Sequence, residues 1–266
     1  MDWGMQNRMS RIFKPEDGRT VMLACDHGYF LGGVSRLENL RKTIEPLIPY
    51  VDALMITRGA LRNNIEPKYN IPIVLRVSGG NSIMNEDLSN EAITVSMQDA
   101  IRLNACSVAF SIYVGSAHEH QTIINLAKLI NEAENYGIPV LAVTAVGKEL
   151  EKRDAKYLSL SCRIAAELGA RIVKTYYCED FQKVVESCPV PIVIAGGPKM
   201  KSEIDCLEIA YNAISIGAKG VDMGRNIWQS NWPQAMASAI RSIVHEKASL
   251  EQAIDLFQTL KNKGGS

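Results

Sequence analysis

The sequence lacks an excess of charge of either sign, a long apolar run and any sign of an export signal. Its 266 residues include 29 basic and 29 acidic side chains, so no net field attracts nucleic acid or an anionic membrane. No apolar run reaches the roughly 18 residues of a membrane span, and the start Met1-Asp2-Trp3-Gly4 has no apolar signal-peptide core. We therefore expect no nucleic-acid or membrane function and a cytoplasmic location.

The sequence also lacks a Cys-x-x-Cys pair, which excludes the common zinc-cluster spacing. Hydrophobic residues make up 47% of the chain, and a chain with so large a core does not need a disulfide framework. We expect free, buried thiols in a reducing cytoplasm. The six cysteines are Cys25, Cys106, Cys162, Cys178, Cys188 and Cys206.

Short β-rich runs recur along the chain, and amphipathic segments of helical period lie between most of them. This alternation predicts a parallel sheet, and eight units in a chain of this length predict a single α/β domain with the (β/α)8 TIM-barrel fold. The predicted strands are Val21–Cys25, Ala53–Thr57, Ile73–Val77, Ser107–Ile112, Val140–Thr144, Ile172–Tyr176, Ile192–Ala195 and Gly220–Met223. The predicted helices include Gln121–Glu134, Ala155–Leu168, Leu207–Ile216 and Gln234–His245.

No linker or low-complexity segment divides the chain. We therefore expect one domain over residues 1–266, with the barrel at about 20–246 and a polar, frayed tail over Lys261–Ser266. An open, doubly wound sheet is the alternative architecture. It is less favoured because no Gly-x-Gly-x-x-Gly run follows the first strand.

Lys174 lies in the sixth predicted strand, with apolar strand residues on both sides. Burial removes the hydration of an ammonium and favours the neutral amine, which is a nucleophile toward carbonyl groups. Because the chemistry of such barrels takes place at the carboxyl ends of the strands, we expect Lys174 at the barrel mouth, where it would form a Schiff base. The structural alternative is an ion pair across the barrel, for which Asp26 is the candidate partner.

The first predicted strand ends in Cys25-Asp26-His27-Gly28. Side chains alternate along a strand, so an Asp26 that faces the mouth sends Cys25 toward the helices. That orientation argues against Cys25 as a thiolase-like nucleophile. We expect Asp26 to act as a general acid or base with His27 assisting it. The alternative is a carboxylate that caps a loop or pairs with a lysine.

Glycine-rich turns follow the seventh and eighth predicted strands, where barrels of this fold usually bind phosphate. Glycines let backbone N–H groups approach an anion, and an arginine adds a bidentate donor. The alternative is a pair of tight turns that merely need positive φ. The predicted phosphate-binding residues are Gly196, Gly197, Gly224 and Arg225, with further polar contacts from Ser78 and Gly79 after the third strand.

A metal site from His27, His118 and His120 is conceivable because imidazole is a common zinc ligand. However, His118 and His120 fall at the start of a predicted helix, where positions two apart diverge by about 200°. The two side chains then face different directions. We therefore expect no metal.

Six runs of the sequence resemble the archaeal-type class I aldolase family: CDHGYFLGG, MITRGALR, VLRVSGGNS, IVKTYY, PIVIAGGPK and GVDMGRNIWQS. The resemblance extends from about Val21 to His245. It implies a Schiff-base lysine at Lys174, a catalytic aspartate at Asp26 and phosphate contacts by Arg225 and the glycine-rich turns. It also implies a covalent intermediate without a bound cofactor and a homo-oligomer, which in relatives is often a ring-like decamer.

One segment departs from the sugar-bisphosphate members of the family, which carry Tyr-Pro-Arg-Gly after the fifth strand. Their tyrosine acts in proton transfer, and here the corresponding residue is Ala145, followed by Val146, Gly147 and Lys148. The Val-Gly-Lys pattern is similar to that of a thiolase-like branch of the family, which acts in the breakdown of the phosphorylated autoinducer-2 signal. Lys148 is a candidate contact for phosphate or coenzyme.

The resemblance to this branch implies a small phosphorylated ketone as substrate. Coenzyme A would be the co-substrate, and the products would be dihydroxyacetone phosphate and acetyl-CoA. Two alternatives stay open: a class I aldolase that cleaves fructose 1,6-bisphosphate or fructose 1-phosphate, and a barrel that binds a phosphosugar without covalent chemistry.

Overall fold

The structure is a computed structural model that describes residues 1–146 and 153–263, and its central feature is a closed barrel of eight parallel strands. β1 pairs with β2 on one side and with β10 on the other, which closes the barrel and confirms the predicted fold. The strands are β1 (Thr20–Ala24), β2 (Ala53–Thr57), β3 (Ile73–Arg76), β4 (Ser78–Gly79), β5 (Ala92–Ile93), β6 (Ser107–Ile112), β7 (Val140–Thr144), β8 (Ile172–Tyr176), β9 (Ile192–Ala195) and β10 (Gly220–Met223).

All eight predicted strands are present, and six have the predicted bounds. The first runs one residue earlier than predicted, and the third ends at Arg76 because the chain then turns into β4, which pairs antiparallel with β5 outside the barrel. The four predicted helices correspond to helices at Glu119–Glu134, Ala155–Glu167, Glu203–Ile216 and Pro233–His245. Three of them begin earlier than predicted, because capping and polar first-turn residues precede their apolar stripes.

Helices surround the barrel and also close one of its ends. They are α1 (Trp3–Ile12), α2 (Gly28–Leu31), α3 (Leu40–Ile44), α4 (Arg58–Asn64), α5 (Met97–Arg102), α6 (Glu119–Glu134), α7 (Ala155–Glu167), α8 (Phe181–Ser187), α9 (Glu203–Ile216), α10 (Arg225–Trp228), α11 (Pro233–His245) and α12 (Leu250–Lys263), with 3-10 turns at Glu45–Tyr50 and Pro67–Tyr69. Among the described residues, no helix is long and apolar enough to cross a membrane.

Alternation along the strands separates the buried residues into an inner and an outer layer. Met22, Met55 and Ile172 fill the barrel interior, whereas their neighbours pack against the helices. Ile12 and Phe13, at the end of α1, join the inner layer and cover the amino-terminal end of the barrel. The barrel interior therefore opens toward solvent at the carboxyl ends of the strands.

The carboxyl-terminal segment differs from the expected frayed tail. Residues 250–263 form α12, which buries Ala253 and Phe257 against the helical layer, with the Trp232 and Phe257 rings 6.3 Å apart. Lys261 therefore belongs to a helix, and its ammonium lies 4.3 Å from the centroid of the Trp232 ring. Residues 264–266 lie outside the described part of the chain.

Candidate active site

A cavity of about 250 Å³ opens at the carboxyl ends of the barrel strands. Three glycines, two arginines, an aspartate, a histidine and a lysine converge on it from β8 and from the segments that follow β1, β7, β9 and β10. The structure thus brings together residues that lie up to 199 positions apart, as expected for a site at this end of the fold. The residues of this group are Asp26, His27, Arg153, Lys174, Gly196, Gly197, Gly224 and Arg225.

Lys174 lies on β8 and points into the barrel, one layer above Ile172. Its side chain is 11% exposed, and its Nζ lies 3.0 Å from Asp222 Oδ2 and 3.5 Å from Met55 Sδ. An ion pair across the barrel was the alternative expectation, and it exists, but the proposed partner was wrong. The carboxylate is Asp222 on β10, whereas Asp26 pairs with an arginine.

Asp222 is fully buried, and the sequence analysis missed it. Burial raises the pKa of the Asp222 carboxyl, and the nearby Lys174 ammonium offsets only part of that rise. A charged residue inside the apolar run Gly220–Met223, at an inward-facing position, was the available signal. The pair places an amine and a proton-accepting carboxylate together in a site of low polarity.

Asp26 follows β1 and faces the cavity, where its Oδ2 lies 3.5 Å from Arg76 and its Oδ1 lies 3.8 Å from His27 Nδ1. Cys25 points the other way, into the outer layer, and its Sγ donates to the carbonyl oxygen of Met55. Burial raises the pKa of the Cys25 thiol well above its usual value, so this thiol is a poor nucleophile.

Arg76 ends β3 as a buried cation and organises one wall of the cavity. It donates to Glu91 Oε2 at 3.0 Å and to Ser111 Oγ at 2.6 Å, besides its ion pair with Asp26. Tyr29 donates to Glu91 Oε1 at 2.6 Å and stacks its ring 4.6 Å from the guanidinium. This network was missed because Glu91 sits in a long loop that shows no sequence pattern.

His27 lies against Trp228 with the ring centroids 5.4 Å apart at 81°. Burial lowers the pKa of His27 to about 4; Asp26 acts against this shift, and the Lys174 ammonium adds to it. The imidazole is therefore neutral near pH 7. A Cβ at Gly224 would lie 2.5 Å from His27 Cε1 and 2.4 Å from the Ala24 carbonyl oxygen, so this close packing requires glycine.

The glycine turns after β9 and β10 face two guanidinium groups. Gly197 has a φ of +68°, and a Cβ there would lie 3.3 Å from Arg153, whose own guanidinium stacks 4.0 Å from the Tyr176 ring centroid. Burial lowers the pKa of Arg225, and the charge of Arg153 adds to that effect. Among the described residues neither arginine forms an ion pair, so the turns carry an unbalanced positive charge suited to an anion.

Ser78 and Gly79 do not line this cavity. They belong to the small β4–β5 hairpin and border a separate cavity. The Ser78 hydroxyl donates to Glu91 Oε2 at 2.6 Å, so Ser78 contributes to the Arg76 network. A contact of Ser78 or Gly79 with the substrate stays a prediction.

The histidines are also separated in space. His118 caps the start of α6, and its Nδ1 lies 2.9 Å from Asp87. Among the described residues, no group of three or more His, Cys, Asp or Glu side chains is arranged to hold a metal ion. The six cysteines are free and buried, as predicted. Lys148 lies outside the described residues.

A buried lysine paired with a carboxylate, at a barrel mouth with cationic glycine turns, defines the class of lysine-dependent enzymes that act on carbonyl groups. Residues 20–230 match the model of the DeoC/LacD family aldolases, and the chain belongs to this family. It is therefore an enzyme of the Schiff-base aldolase type.

Two curated relatives cover nearly the whole chain. A 3-hydroxy-5-phosphonooxypentane-2,4-dione thiolase from Enterobacter sp. (strain 638) is 55% identical over 266 residues, which span 100% of this chain and 89% of that protein. A protein of the same name from Photorhabdus laumondii subsp. laumondii is 53% identical over 262 residues, which span 98% of this chain and 89% of that protein.

Solved structures show the same barrel. An archaeal fructose 1,6-bisphosphate aldolase is 26% identical with a TM-score of 0.82, over 91% of this chain and 99% of that one. A second archaeal fructose-1,6-bisphosphate aldolase structure, with its catalytic Lys covalently bound to the carbinolamine intermediate of the substrate, is 26% identical with a TM-score of 0.81, over 90% of this chain and 99% of that one.

Proposed function

We propose that the enzyme cleaves 3-hydroxy-5-phosphonooxypentane-2,4-dione with coenzyme A and forms dihydroxyacetone phosphate and acetyl-CoA. The observation that carries the proposal is a single cavity that holds the Lys174 amine together with two glycine turns, after β9 and β10, and the guanidinium groups of Arg153 and Arg225. A phosphorylated ketone needs both features. The names of the relatives support the particular substrate.

In the first step the neutral amine of Lys174 attacks C4, the ketone carbon beside the phosphorylated methylene, and loss of water gives an iminium ion. The Asp222 carboxylate, 3.0 Å from Nζ, accepts a proton from the ammonium before attack. That proton is then passed to the hydroxyl group that leaves as water, so the Asp222 carboxylate faces the iminium cation in a buried site, where charge pairing is strong.

In the second step the thiolate of coenzyme A adds to C2, the acetyl carbonyl. The C2–C3 bond breaks, and its electron pair moves to form the C3=C4 enamine while the iminium nitrogen becomes neutral. The proton that leaves the thiol is returned at C3. Water then hydrolyses the iminium ion, which releases dihydroxyacetone phosphate and the ammonium form of Lys174, so the water lost in the first step is balanced by the water consumed in the last.

Asp26 and His27 are the proposed proton carriers for these steps. His27 is neutral near pH 7, because burial lowers its pKa to about 4, so its ring has one nitrogen free of a proton for transient proton transfer. Arg76 holds the Asp26 carboxylate at 3.5 Å on the cavity wall. The two side chains face the cavity from β1, the strand that adjoins the strand of Asp222.

The glycine turns and arginines are the proposed anchor for the phosphate. Gly196, Gly197 and Gly224 allow close backbone approach, while Arg225 and Arg153 supply charge. Binding energy from this remote group fixes the reacting carbons against Lys174, which favours reaction by orientation. No bound cofactor takes part in these steps.

Borohydride trapping tests the proposal. The protein is reduced in the presence of dihydroxyacetone phosphate and mapped by peptide mass spectrometry, with acetyl-CoA formation measured in parallel. We expect one adduct, on Lys174, and CoA-dependent product. Lys199→Met is the matched control, since Lys199 follows the β9 turn but pairs with Glu203 at 3.2 Å, and it should retain the adduct.

The outcomes separate the three functions. An adduct without CoA-dependent turnover, together with cleavage of fructose bisphosphate, would establish the aldolase alternative. No adduct with any phosphorylated ketone, in folded protein, would leave a barrel that binds its ligand noncovalently.

A homo-oligomer and a cytoplasmic location complete the proposal. Trp3 and Tyr136, which are 76% and 43% exposed, belong to segments that meet where the Asp2 carboxylate approaches Gly137. An exposed tryptophan and an exposed tyrosine on neighbouring segments are the surface features that support a contact between subunits. Light scattering of the wild-type protein and of Trp3→Ser measures the assembly, and a monomer at micromolar concentration would refute it.

A further inference from the structure

A second cavity, of about 410 Å³, opens at the carboxyl ends of β6 and β7. It shares Leu88, Tyr113 and Ala145 with the active-site cavity, so the two spaces meet at these residues. Its remaining lining consists of Glu86, Asp87, Ser89, Val114, Gly115, Ser116, Ala117, Val146 and Tyr157. Nothing in the proposed chemistry has so far used this space.

The position of the second cavity follows from the order of the strands around the barrel. β8, which carries Lys174, lies between β9 and β7. The glycine turns follow β9 and β10 on one side of Lys174, and the second cavity lies beyond β7 and β6 on the other. Lys174 therefore lies between the second cavity and the glycine turns that follow β9 and β10.

The substrate of the proposed function has the same linear order. Its phosphate is attached to C5, the imine forms at C4, and the acetyl carbon that a thiol attacks is C2. When the phosphate occupies the turns after β9 and β10 and C4 is bonded to Lys174, C2 extends away from the turns. The acceptor must then approach C2 from the β6–β7 side.

The walls of the second cavity suit a neutral, partly apolar chain better than a phosphate. Val114, Val146 and Leu88 give apolar surface, and the Tyr157 hydroxyl donates to the Val114 carbonyl at 2.9 Å. None of the described lining residues is Lys or Arg, and the exposed carboxylates of Glu86 and Asp87 repel an anion at this end. These described walls therefore favour an amide-containing thiol chain over a phosphate.

We propose that the second cavity admits the pantetheine arm of coenzyme A, and that its thiol reaches C2 past Ala145; this inference rests on the proposed function. The phosphorylated nucleotide end of the coenzyme stays outside the barrel, beyond the acidic rim. The thiol sulfur bonds to C2 as the C2–C3 electron pair enters the enamine, and the thiol proton ends on C3. Ala145 controls the passage because its side chain is small and borders both spaces.

Ala145→Leu tests the passage, because a larger side chain narrows the junction between the cavities. We expect the KM for coenzyme A to rise about tenfold or more, while borohydride trapping of dihydroxyacetone phosphate on Lys174 continues. Ala166→Leu is the matched control. Ala166 lies half-buried near the end of α7, lines neither cavity, and should leave both measurements unchanged.

A second variant distinguishes a narrowed path for coenzyme A from damage at the imine centre. Ala117→Phe adds bulk on the exposed rim of the second cavity, away from Lys174, and should also raise the KM for coenzyme A with trapping intact. An unchanged KM for coenzyme A in both variants would overturn the inference and leave the proposed function standing. A wild-type protein that forms the adduct but no acetyl-CoA would instead overturn the proposed function itself.

Discussion

Two aspartates, one at each end of the barrel, are buried beside cationic side chains and yet have opposite properties. Asp52, just before β2, accepts the Val21 N–H at 2.7 Å, His245 at 2.8 Å and Arg241 at 3.0 Å. Burial raises the pKa of Asp52, but these donors outweigh it and hold the pKa at about 2. Asp222, at the mouth, pairs with Lys174 at 3.0 Å, and its pKa stays raised.

The difference lies in how many donors each carboxylate receives. Asp52 pairs with Lys14, which follows α1, and with Arg241 and His245 of α11, and every one of these partners favours its ionised form. Among the described residues, Asp222 forms an ion pair with the Lys174 ammonium alone, so its negative charge is poorly compensated. Fully satisfied carboxylates stabilise a fold, whereas a poorly satisfied one retains the capacity to take up a proton, which is what a reaction uses. The closed end of the barrel therefore contributes to stability, and the open end carries the chemistry.

The largest expected effect comes from removing Lys174, which faces Asp222. Removing Lys14, which faces Asp52, is the comparison. Lys174→Met should lower turnover more than about a thousandfold, because the substitution removes the amine that forms the imine. Lys14→Met, which removes a half-exposed lysine 3.5 Å from Asp52, should leave turnover unchanged and cost less than about 1 kcal/mol of stability. Steady-state kinetics and thermal unfolding measure both. Near wild-type turnover in Lys174→Met would contradict the mechanism.

The two aspartates themselves allow an isosteric comparison. Asp222→Asn keeps the shape but cannot accept the proton from Lys174, so turnover should fall about a hundredfold with little change in the unfolding midpoint. Asp52→Asn should do the reverse, with turnover per folded molecule retained and about 3 kcal/mol of unfolding free energy lost, because His245 and Arg241 lose their charged partner. Equal effects of the two substitutions on stability would remove the distinction between the two ends.

The barrel was predictable because its signal is local. A short run of mostly apolar, β-prone residues with polar ends specifies a buried strand wherever the chain places it, and β2, β6, β7 and β8 have their predicted bounds. α1 and α12 also carry local signals that were not used. Met5, Met9 and Ile12 have helical spacing after the N-cap Asp2, and Ala253 and Phe257 repeat it at the other end.

The partners in the site were less predictable because they depend on which residues meet across the barrel. Lys174 could be found from one strand alone, since a charge among apolar residues is a local anomaly. Its pairing with Asp222 depends on the layer that each residue occupies, and that layer is set by the stagger of the closed sheet. Glu91 lies in a loop, and only the folded chain brings its carboxylate to Arg76.

The smallest effect is the pH dependence of stability, where the two carboxylates should act with opposite sign. The folded-state pKa of Asp52 is lowered from 3.8 to about 2, so its contribution of about 2 kcal/mol is complete above pH 4 and disappears as the pH falls toward 2. The pKa of Asp222 is raised, so the folded state binds its proton more tightly and loses stability as the pH rises above 3.8. Urea unfolding at pH 3 to 6 measures the sum of both effects.

Variants separate the two contributions to this profile. Asp52→Asn should flatten the loss of stability below pH 4. Asp222→Asn should make stability rise more steeply with pH, because it removes the contribution of Asp222, which decreases as the pH rises. His245 extends the contrast at the closed end: burial lowers its pKa, but the Asp52 and Asp17 carboxylates raise it above 6.5 overall. The stability that His245 provides is therefore present below pH 6.5 and lost as the pH rises through its raised pKa. Identical profiles for wild type and Asp52→Asn would mean that Asp52 is no better stabilised than Asp222.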